Sequence, residues 1–463
     1  MDVRTAWDCA GNQGNGHSLA GVMSADGRYV AFVSEASNLV VGDTNGLGDV
    51  FVHDRDTGLT ERVSVDSNGT QGNKYCFSPA ISADGRYVAF ASWASNLVVG
   101  DTNGCVDYFV HDRQTGATER VSVDSDGNQG NEPDPDPDAT SISADGRLVA
   151  FSSRAPFVPA DSNYEYDVFV HDRDTGITER VSVDSAGNQG NGNSGHPVIS
   201  ADGRYVAFAS DASNLAVGDT NGFRDVFVHD RDTGVTERVS VDSAGNQANQ
   251  GSGPTGEVAI SADGRYVAFQ SIASNLVPDD TNGRDDNFVH DRQTGTTERV
   301  SVDSNGTQGN DNSWSPAISA DGRYVALSSS ASNLVVGDTN GCVDIFVHDR
   351  QTGATERVSV DGAGNQVDGG GGRSDISPDG RYVAFESGAS NLVPDDTNGY
   401  ADIFVHDRQT GPEPTPVPVG GIAELPDVSG ASGPNYVALA GLAAAALVAL
   451  TAGAWYAKRR WMP

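Results

Sequence analysis

The chain has 463 residues and a formal net charge of −35 at pH 7, with 64 Asp and Glu residues against 29 Lys and Arg residues. Because nucleic acids and anionic membrane surfaces bind clustered Lys and Arg, this charge argues against both as partners. An acidic balance of this size indicates either the solvated surface of a halophile or bound cations. The recurrence of Asp at fixed loop positions favours turns and cation ligands.

An internal repeat of nearly constant length covers most of the chain. The sequence SADGRYVAF, or a close variant, occurs seven times, and its Asp-Gly pairs are separated by 58, 61, 57, 61, 58 and 58 residues. Such a period overrides the domain count that length alone suggests. The aspartates of these pairs are Asp26, Asp84, Asp145, Asp202, Asp263, Asp321 and Asp379.

Each repeat predicts four short β-strands in chain order. The first is SPAIS, Ser78 to Ser82, and the second is RYVAFAS after the ADG turn. The third is DVFVHD, Asp49 to Asp54, and a DRDTG hairpin leads to the fourth, TERVSVD, Thr60 to Asp66. In the fourth strand Arg62 and Ser64 are expected on the exposed face. Four strands per repeat without a helical period predict an all-β fold, a seven-bladed β-propeller over residues 1–411.

The two ends of the repeat array complement each other. The last repeat stops at Gly411 without a TERVSVD strand, whereas RTAWDCAGNQGN, Arg4 to Asn15, aligns with RVSVDSAGNQAN, Arg238 to Asn249. We therefore predict that the N-terminal strand completes the last blade and closes the ring, which removes two open sheet edges.

An acidic loop joins the second and third strands of every repeat. Its pattern D-x-N-x-x-x-D offers carboxylate and amide oxygens, which are the ligands that Ca²⁺ binds, so the sequence predicts a structural calcium site of weak, extracellular type in each blade. The alternative is turn chemistry, since Asp, Asn and Gly also cap backbone amides. The predicted ligands are Asp43, Asn45, Asp49, Asp101, Asn103, Asp107, Asp161, Asn163, Asp167, Asp219, Asn221, Asp225, Asp280, Asn282, Asp286, Asp338, Asn340, Asp344, Asp396, Asn398 and Asp402.

No catalytic motif is recognisable in the sequence. The His-Asp pair of FVHDR recurs in every repeat, and since a catalytic dyad is normally singular, we expect a structural role for these histidines. The cysteines form no metal pattern, and Cys76 and Cys105 are expected close enough to pair, which suits an oxidising compartment.

Functional residues are expected where the repeat is broken. Unique features fall in loops on the face that carries the acidic loops: EPDPDPD at 132–138, His196, Trp314, the glycines 369–372 and the tyrosines of the third acidic loop. Such a rim fits a protein or glycan partner, and tolerated drift in exposed loops is the alternative.

The C-terminal region predicts a membrane anchor. A Pro/Gly-rich stalk at 412–434 precedes 23 uncharged residues at 435–457, and a basic tail follows at 458–463. As a helix, the uncharged segment is about 34 Å long, which is enough to cross a bilayer. The positive-inside rule places the tail in the cytoplasm and residues 1–411 outside the cell or in the periplasm. Since MDVRTAWDC has no apolar signal core, we expect a truncated or misassigned start, the alternative being a tail-anchored cytosolic protein.

The repeats SPAISADGRYVAF and DVFVHDRDTG resemble the TolB-type, WD-like propeller repeat over residues 1–411, and the acidic loop resembles a shortened calcium loop of integrin-type blades. The first resemblance implies a periplasmic or extracellular propeller used for protein contacts, and it does not imply an enzyme. We expect the propeller to be monomeric. The chain departs from TolB in having no recognisable N-terminal α/β domain and in its longer acidic loop. We therefore expect a non-enzymatic binding or structural module, the alternative being a propeller glycosidase or lyase acting at the central channel.

Overall fold

The structure is a computed structural model and describes residues 3–6, 11–131, 139–159, 161–253 and 257–410. Among these residues no helix has the length and apolar character needed to span a membrane. The predicted stalk at 412–434, transmembrane helix at 435–457 and tail at 458–463 lie outside the described residues, as does the insertion at 132–138.

Seven antiparallel sheets of four strands make up the described residues, which confirms the predicted seven-bladed propeller. Strands are numbered β1 to β28 in chain order. The innermost strands are β2 (Ser18–Met23), β6 (Cys76–Ile81), β10 (Ser141–Ile142), β14 (Ser194–Ile199), β18 (Val258–Ile260), β22 (Ser313–Ile318) and β26 (Gly371–Ile376). The second strands are β3 (Tyr29–Ser34), β7 (Tyr87–Ser92), β11 (Leu148–Ser153), β15 (Tyr205–Ser210), β19 (Tyr266–Ser271), β23 (Tyr324–Ser329) and β27 (Tyr382–Ser387).

The remaining strands form the outer half of each blade. The third strands are β4 (Asp49–Asp54), β8 (Asp107–Asp112), β12 (Asp167–Asp172), β16 (Asp225–Asp230), β20 (Asp286–Asp291), β24 (Asp344–Asp349) and β28 (Asp402–Asp407). The outermost strands are β5 (Leu59–Arg62), β9 (Ala117–Arg120), β13 (Ile177–Arg180), β17 (Val235–Arg238), β21 (Thr296–Arg299), β25 (Ala354–Arg357) and β1 (Val3–Arg4). A 3₁₀ helix, Arg408–Thr410, follows β28.

The ring closes as predicted from the two ends of the repeat array. Strand β1 pairs antiparallel with β28, with Val3 opposite Val405 and Arg4 opposite Phe404. The seventh blade therefore has the order β1-β28-β27-β26 and joins both ends of the propeller in one sheet.

The hydrophobic core lies between adjacent blades. On β3, Val30 and Phe32 pack toward the seventh blade, whereas Ala31 and Val33 pack toward the second. Because alternate side chains point to opposite faces of the sheet, and a neighbouring blade covers each face, both faces are buried. The sequences of the second and third strands are therefore continuously apolar and do not alternate between apolar and polar residues. Each interface combines the small side chains of one blade with the phenylalanines of the next.

The fourth strand is shorter than predicted. Strand β5 ends at Arg62, because the backbone amides of Val63 and Ser64 both point at the carbonyl oxygen of Val50. Ser64, expected on the exposed face, is fully buried. Its hydroxyl donates a hydrogen bond to Asp49 at 2.6 Å, which explains its burial.

Backbone hydrogen bonds also join the blades around the channel. The amide of Ala25 donates to the carbonyl of Ala83 at 2.9 Å, and the same bond recurs from blade to blade until Ala320 donates to Pro378. Pro378 has no N–H, so it cannot donate the corresponding bond from the seventh blade to the first. The junction between these two blades therefore differs from the six others.

Candidate functional site

The acidic loops lie where the second strand of each blade ends and the third begins. Within a loop, the Asn side chain accepts a hydrogen bond from the amide two residues later, as Asn45 does from Leu47 at 2.9 Å. Asn45 also donates to Asp49 and to the carbonyl of Gly72, both at 3.1 Å. All seven copies share the first contact, so the Asn of the pattern serves the turn.

The two carboxylates of a loop face N–H donors from the same blade. Nη1 of Arg62 lies 3.5 Å from the carboxylate of Asp43 and 3.6 Å from that of Asp49. The side-chain amide of Gln71 donates hydrogen bonds to the same two carboxylates at 2.8 and 2.9 Å. Corresponding arginine contacts recur in the next five blades at Arg120, Arg180, Arg238, Arg299 and Arg357.

The second carboxylate of each loop, at the start of the third strand, is buried. Burial raises the pKa of Asp49, and it raises the pKa of Asp167 to about 6. Hydrogen bonds from serine and the nearby arginine act in the opposite direction. A buried pair of like charges needs a neutralising partner, and here a guanidinium provides it.

In this arrangement the loops do not fit a calcium ion. Calcium binds oxygen lone pairs, whereas the lone pairs of Asp43 and Asp49 face a guanidinium and an amide N–H. Among the described residues, no group of three or more His, Cys, Asp and Glu side chains is arranged to hold a metal ion. Calcium binding stays a prediction, and an entering ion would have to displace the arginine.

Sequence reasoning missed the arginine and glutamine partners. Arg62 and Gln71 lie 19 and 28 residues after Asp43 and in different strands and loops, so the loop pattern alone does not contain them. Their recurrence at the same place in successive repeats, in TERV and in GNQ or GTQ, was the available signal.

The repeated histidines are structural, as expected. Nδ1 of His53 lies 2.9 Å from the hydroxyl of Thr60 on the neighbouring strand, and the contact recurs in the next five blades. Burial lowers the pKa of His53 to about 4, so the imidazole is neutral at pH 7.

The predicted pairing of Cys76 with Cys105 is wrong. Cys76 is a free thiol, so no disulfide joins it to Cys105. Cys76 lies on the innermost strand, where its sulfur is 3.1 Å from the hydroxyl of Ser92. Cys105 lies in the acidic loop, and its sulfur contacts the carbonyl of Asn103 at 3.5 Å. The two side chains therefore have separate partners.

On the opposite face, the hairpins of adjacent blades interlock. Arg113 of the second blade stacks on Tyr29 of the first at 4.3 Å, contacts Glu61 of the first blade and donates to the carbonyl of Gly85 in its own blade. Gly85 lies against the same tyrosine ring, so closely that a Cβ atom would be 2.2 Å from Cδ2. Each joint thus combines an arginine, a tyrosine, a glutamate and a glycine.

Two joints depart from this pattern. Arg55 stacks on Tyr382 at 4.6 Å, but its buried Nε has no hydrogen-bond partner among the described residues. The register explains this, because Val3 stands opposite Val405 where Glu61 stands opposite Val52. At the junction of the third and fourth blades, Leu148 replaces the tyrosine.

The central channel is where the repeat is broken most strongly. At the channel mouth beside the acidic loops, the innermost strands place Ser78, His196, Glu257, Ser315 and Arg373 at corresponding positions, with alanine in the other two blades. Nε of Arg373 lies 3.2 Å from Glu257, and Ser315 donates to Glu257 at 2.6 Å. Glu257 of the fifth blade thus contacts Ser315 of the sixth blade and Arg373 of the seventh, and the two contacts join these three blades around one half of the channel mouth.

Asp375 lies deeper in the channel, where the other blades have Val, Ala or Ser. It accepts hydrogen bonds from the amide of Met23 at 2.8 Å and from that of Ile376 at 2.9 Å. Burial raises the pKa of Asp375 to about 6. Nearby, Glu386 accepts bonds from the amides of Arg373 and Ala20. These contacts tie the seventh blade to the first across the junction that Pro378 interrupts.

Of the predicted symmetry-breaking residues, His196 lies at the channel mouth, Trp314 on β22, and the glycines 369–372 lead into and begin β26. Sequence reasoning treated the innermost strands as mostly bland and so missed Glu257, Arg373 and Asp375. Each was visible as a charged residue at a position that is small and neutral in most repeats.

No family model matches the chain, and no curated protein matches it. Solved structures do. The β-propeller domain of the Trilobed protease from Pyrococcus furiosus is 10% identical, with 85% of this chain and 95% of that chain covered and a TM-score of 0.51. Oligogalacturonate lyase from Vibrio parahaemolyticus is 13% identical, with 85% and 90% covered and a TM-score of 0.50.

TolB from Acinetobacter baumannii is also among the matches, at 16% identity and a TM-score of 0.40. The match covers 73% of this chain and 62% of that TolB chain, so this chain spans less than two thirds of its length. The protease and the lyase differ in activity, and both share the propeller fold with this chain. The comparisons therefore show the fold, a β-propeller, and leave the function to the residues of the site.

Proposed function

We propose that the protein is a non-enzymatic binding module, a propeller held outside the membrane by residues 435–457, which contacts a protein or glycan ligand at the channel mouth. The observation that supports this most is the concentration of Glu257, Arg373 and Asp375 in one half of the channel, at positions where most other blades carry Ala, Ser or Val. Repeated residues serve every blade alike, whereas a single ligand needs a single site.

Consensus replacement tests this proposal. The triple variant Glu257→Ser, Arg373→Ser and Asp375→Ala gives these positions residues that other blades already carry, so the strands tolerate them. We expect wild-type full-length protein to bind members of a glycan or peptide array, and the variant to lose them while melting cooperatively. Equal array binding by both proteins would contradict a ligand site at the channel mouth.

A channel enzyme is the second candidate, and Asp375 favours it. A carboxyl group with a pKa near 6 beside a cavity is suited to general acid–base chemistry. The test is incubation with neutral and acidic oligosaccharides, followed by detection of new reducing ends. Turnover that disappears in Asp375→Asn would support the enzyme, and its absence across the panel would leave binding as the function.

Calcium binding by the acidic loops stays a separate proposal. It is supported by the composition of the loops and opposed by the guanidinium between their carboxylates. Calcium titration of the full chain, with melting in calcium and in chelator, decides it: no bound calcium at millimolar concentration and no change in melting temperature would exclude a structural role.

A further inference from the structure

The innermost strands enclose a cavity of about 380 Å³ at the mouth of the channel. Most of its lining is apolar, including Val22, Ile81, Pro197 and Val258. Its charged lining residues are Arg373 and Asp375. A cavity of this size with apolar walls and a few polar groups is typical of sites for small molecules.

Two residues of the lining carry a hydroxyl group that has no hydrogen-bond partner among the described residues. The side chain of Thr140 is buried, with 8% of the residue exposed, and its Oγ1 makes no hydrogen bond to any described residue. The hydroxyl oxygen of Ser374 is also buried and makes no hydrogen bond to any described residue. Both residues line the cavity. An unpaired buried hydroxyl destabilises a protein. Neither oxygen is exposed to the cavity, so each hydroxyl would have to turn in order to bond a polar ligand there.

The two charged residues, Arg373 and Asp375, have opposite charges, and each has hydrogen-bonding groups that no described residue uses. Arg373 contacts Glu257 through Nε, and its terminal guanidinium nitrogens make no hydrogen bond within the described residues. Its side chain is 62% exposed. The carboxylate of Asp375 accepts two amide bonds, which leaves two of its four lone-pair sites, and no described cationic side chain forms an ion pair with it.

We propose that this cavity binds a short zwitterionic peptide, with its carboxylate on Arg373 and its ammonium group on Asp375. The hydroxyls of Thr140 and Ser374 would turn to bond its peptide groups, and the apolar walls would contact its side chains. A guanidinium fork matches a carboxylate in shape as well as in charge. The ligand class rests on the proposed function, since it names what the channel-mouth site takes.

The overall charge of the protein favours a zwitterion over an anion. With a net charge of −35, the chain repels anionic ligands and concentrates cationic groups in acidic clefts. A ligand held by Arg373 alone would enter against this field. A ligand that also carries an ammonium group meets Asp375 and has no net charge.

The experiment is titration calorimetry of the full-length chain with the dipeptide Ala-Leu, its N-acetyl derivative and its C-terminal amide. We expect Ala-Leu to bind, and the loss of either charge to weaken binding by at least about 10-fold, as for a charge-assisted hydrogen bond. Arg373→Ser should abolish the preference for a free carboxylate, and Asp375→Ala the preference for a free amine.

Matched controls separate the site from general charge effects. Arg284→Ser and Asp56→Asn remove the same charges from exposed positions outside the channel and should bind Ala-Leu like the wild type. The proposal is overturned if Ala-Leu does not bind at millimolar concentration, or if it binds equally to Arg373→Ser and Asp375→Ala. Array binding that the triple variant loses, without binding of Ala-Leu, overturns the ligand class and retains the site.

Discussion

The carboxylate of Asp375 in the seventh blade accepts a hydrogen bond from the backbone amide of Met23 in the first, at 2.8 Å. A similar contact occurs at one other junction, where the hydroxyl of Ser141 accepts from the amide of Ile199 at 3.1 Å. Asp375 is therefore part of the ring closure as well as of the proposed ligand site.

We predict that Asp375 makes stability depend on pH. Burial raises its pKa to about 6 in the folded protein, so the folded state holds the proton more tightly than the unfolded state. Its contribution to the free energy of unfolding is therefore greatest below pH 4 and falls as the pH rises through about 6, by about 3 kcal/mol in total.

Asp375→Asn checks this prediction, because it cannot ionise. We expect the difference in unfolding free energy between variant and wild type to move in favour of the variant from pH 4 to pH 7. Denaturant unfolding at each pH measures it. A difference that is constant with pH would show that the carboxyl group titrates normally in the folded protein.

Arg62→Ala should destabilise the first blade strongly. Its removal leaves the carboxylates of Asp43 and Asp49 buried without a cation, which costs about 3 kcal/mol or more. Thermal melting measures the loss, and Arg284→Ala, at a half-exposed loop position, is the control. If the arginine substitutes for a metal ion, millimolar calcium should raise the melting temperature of the variant more than that of the wild type. A variant that melts like the wild type would refute the role of the guanidinium.

Val3→Glu should strengthen the ring closure. Glutamate stands at the corresponding register position in the other blades and contacts the arginine that corresponds to Arg55, as Glu119 does Arg173 at 2.5 Å. The new partner for Nε of Arg55 is expected to contribute about 0.5–1 kcal/mol. Thermal melting checks this, with Val3→Gln as the uncharged control. The gain must disappear when Arg55→Met is combined with Val3→Glu.

Leu148→Tyr should stabilise the junction of the third and fourth blades. Arg231 of the fourth blade holds Glu179 and Gly203 as its counterparts do, but it lacks the tyrosine on which they stack. A restored stack is expected to contribute about 0.5–1 kcal/mol. The reciprocal variant Tyr205→Leu should lose a similar amount in a melting experiment. Destabilisation by Leu148→Tyr would mean that this junction has no room for the ring.

The fold was predictable because the same pattern of four strands occurs in seven repeats of the sequence. Strand order, blade number and closure by the N-terminal strand all follow from the spacing of recurring residues, and the structure confirms them. The fate of each polar side chain was not predictable, because partners such as Asp49, Ser64 and Arg62 meet only after the strands pair. The channel residues were visible as departures from the repeat, but which of them share a cavity depends on the closed ring.

Pro378 and the two-residue strand β1 have a mechanical consequence. Both ends of the described propeller leave from the seventh blade, where β1 and β28 run antiparallel with Val3 opposite Val405. A load applied to the two ends would open this pairing one residue pair at a time, as in unzipping, because the ends leave at the same side. The junction exposed next lies between the seventh and first blades, where Pro378 cannot donate the backbone hydrogen bond that joins the other blades. Under such a load the propeller would therefore open first at this junction.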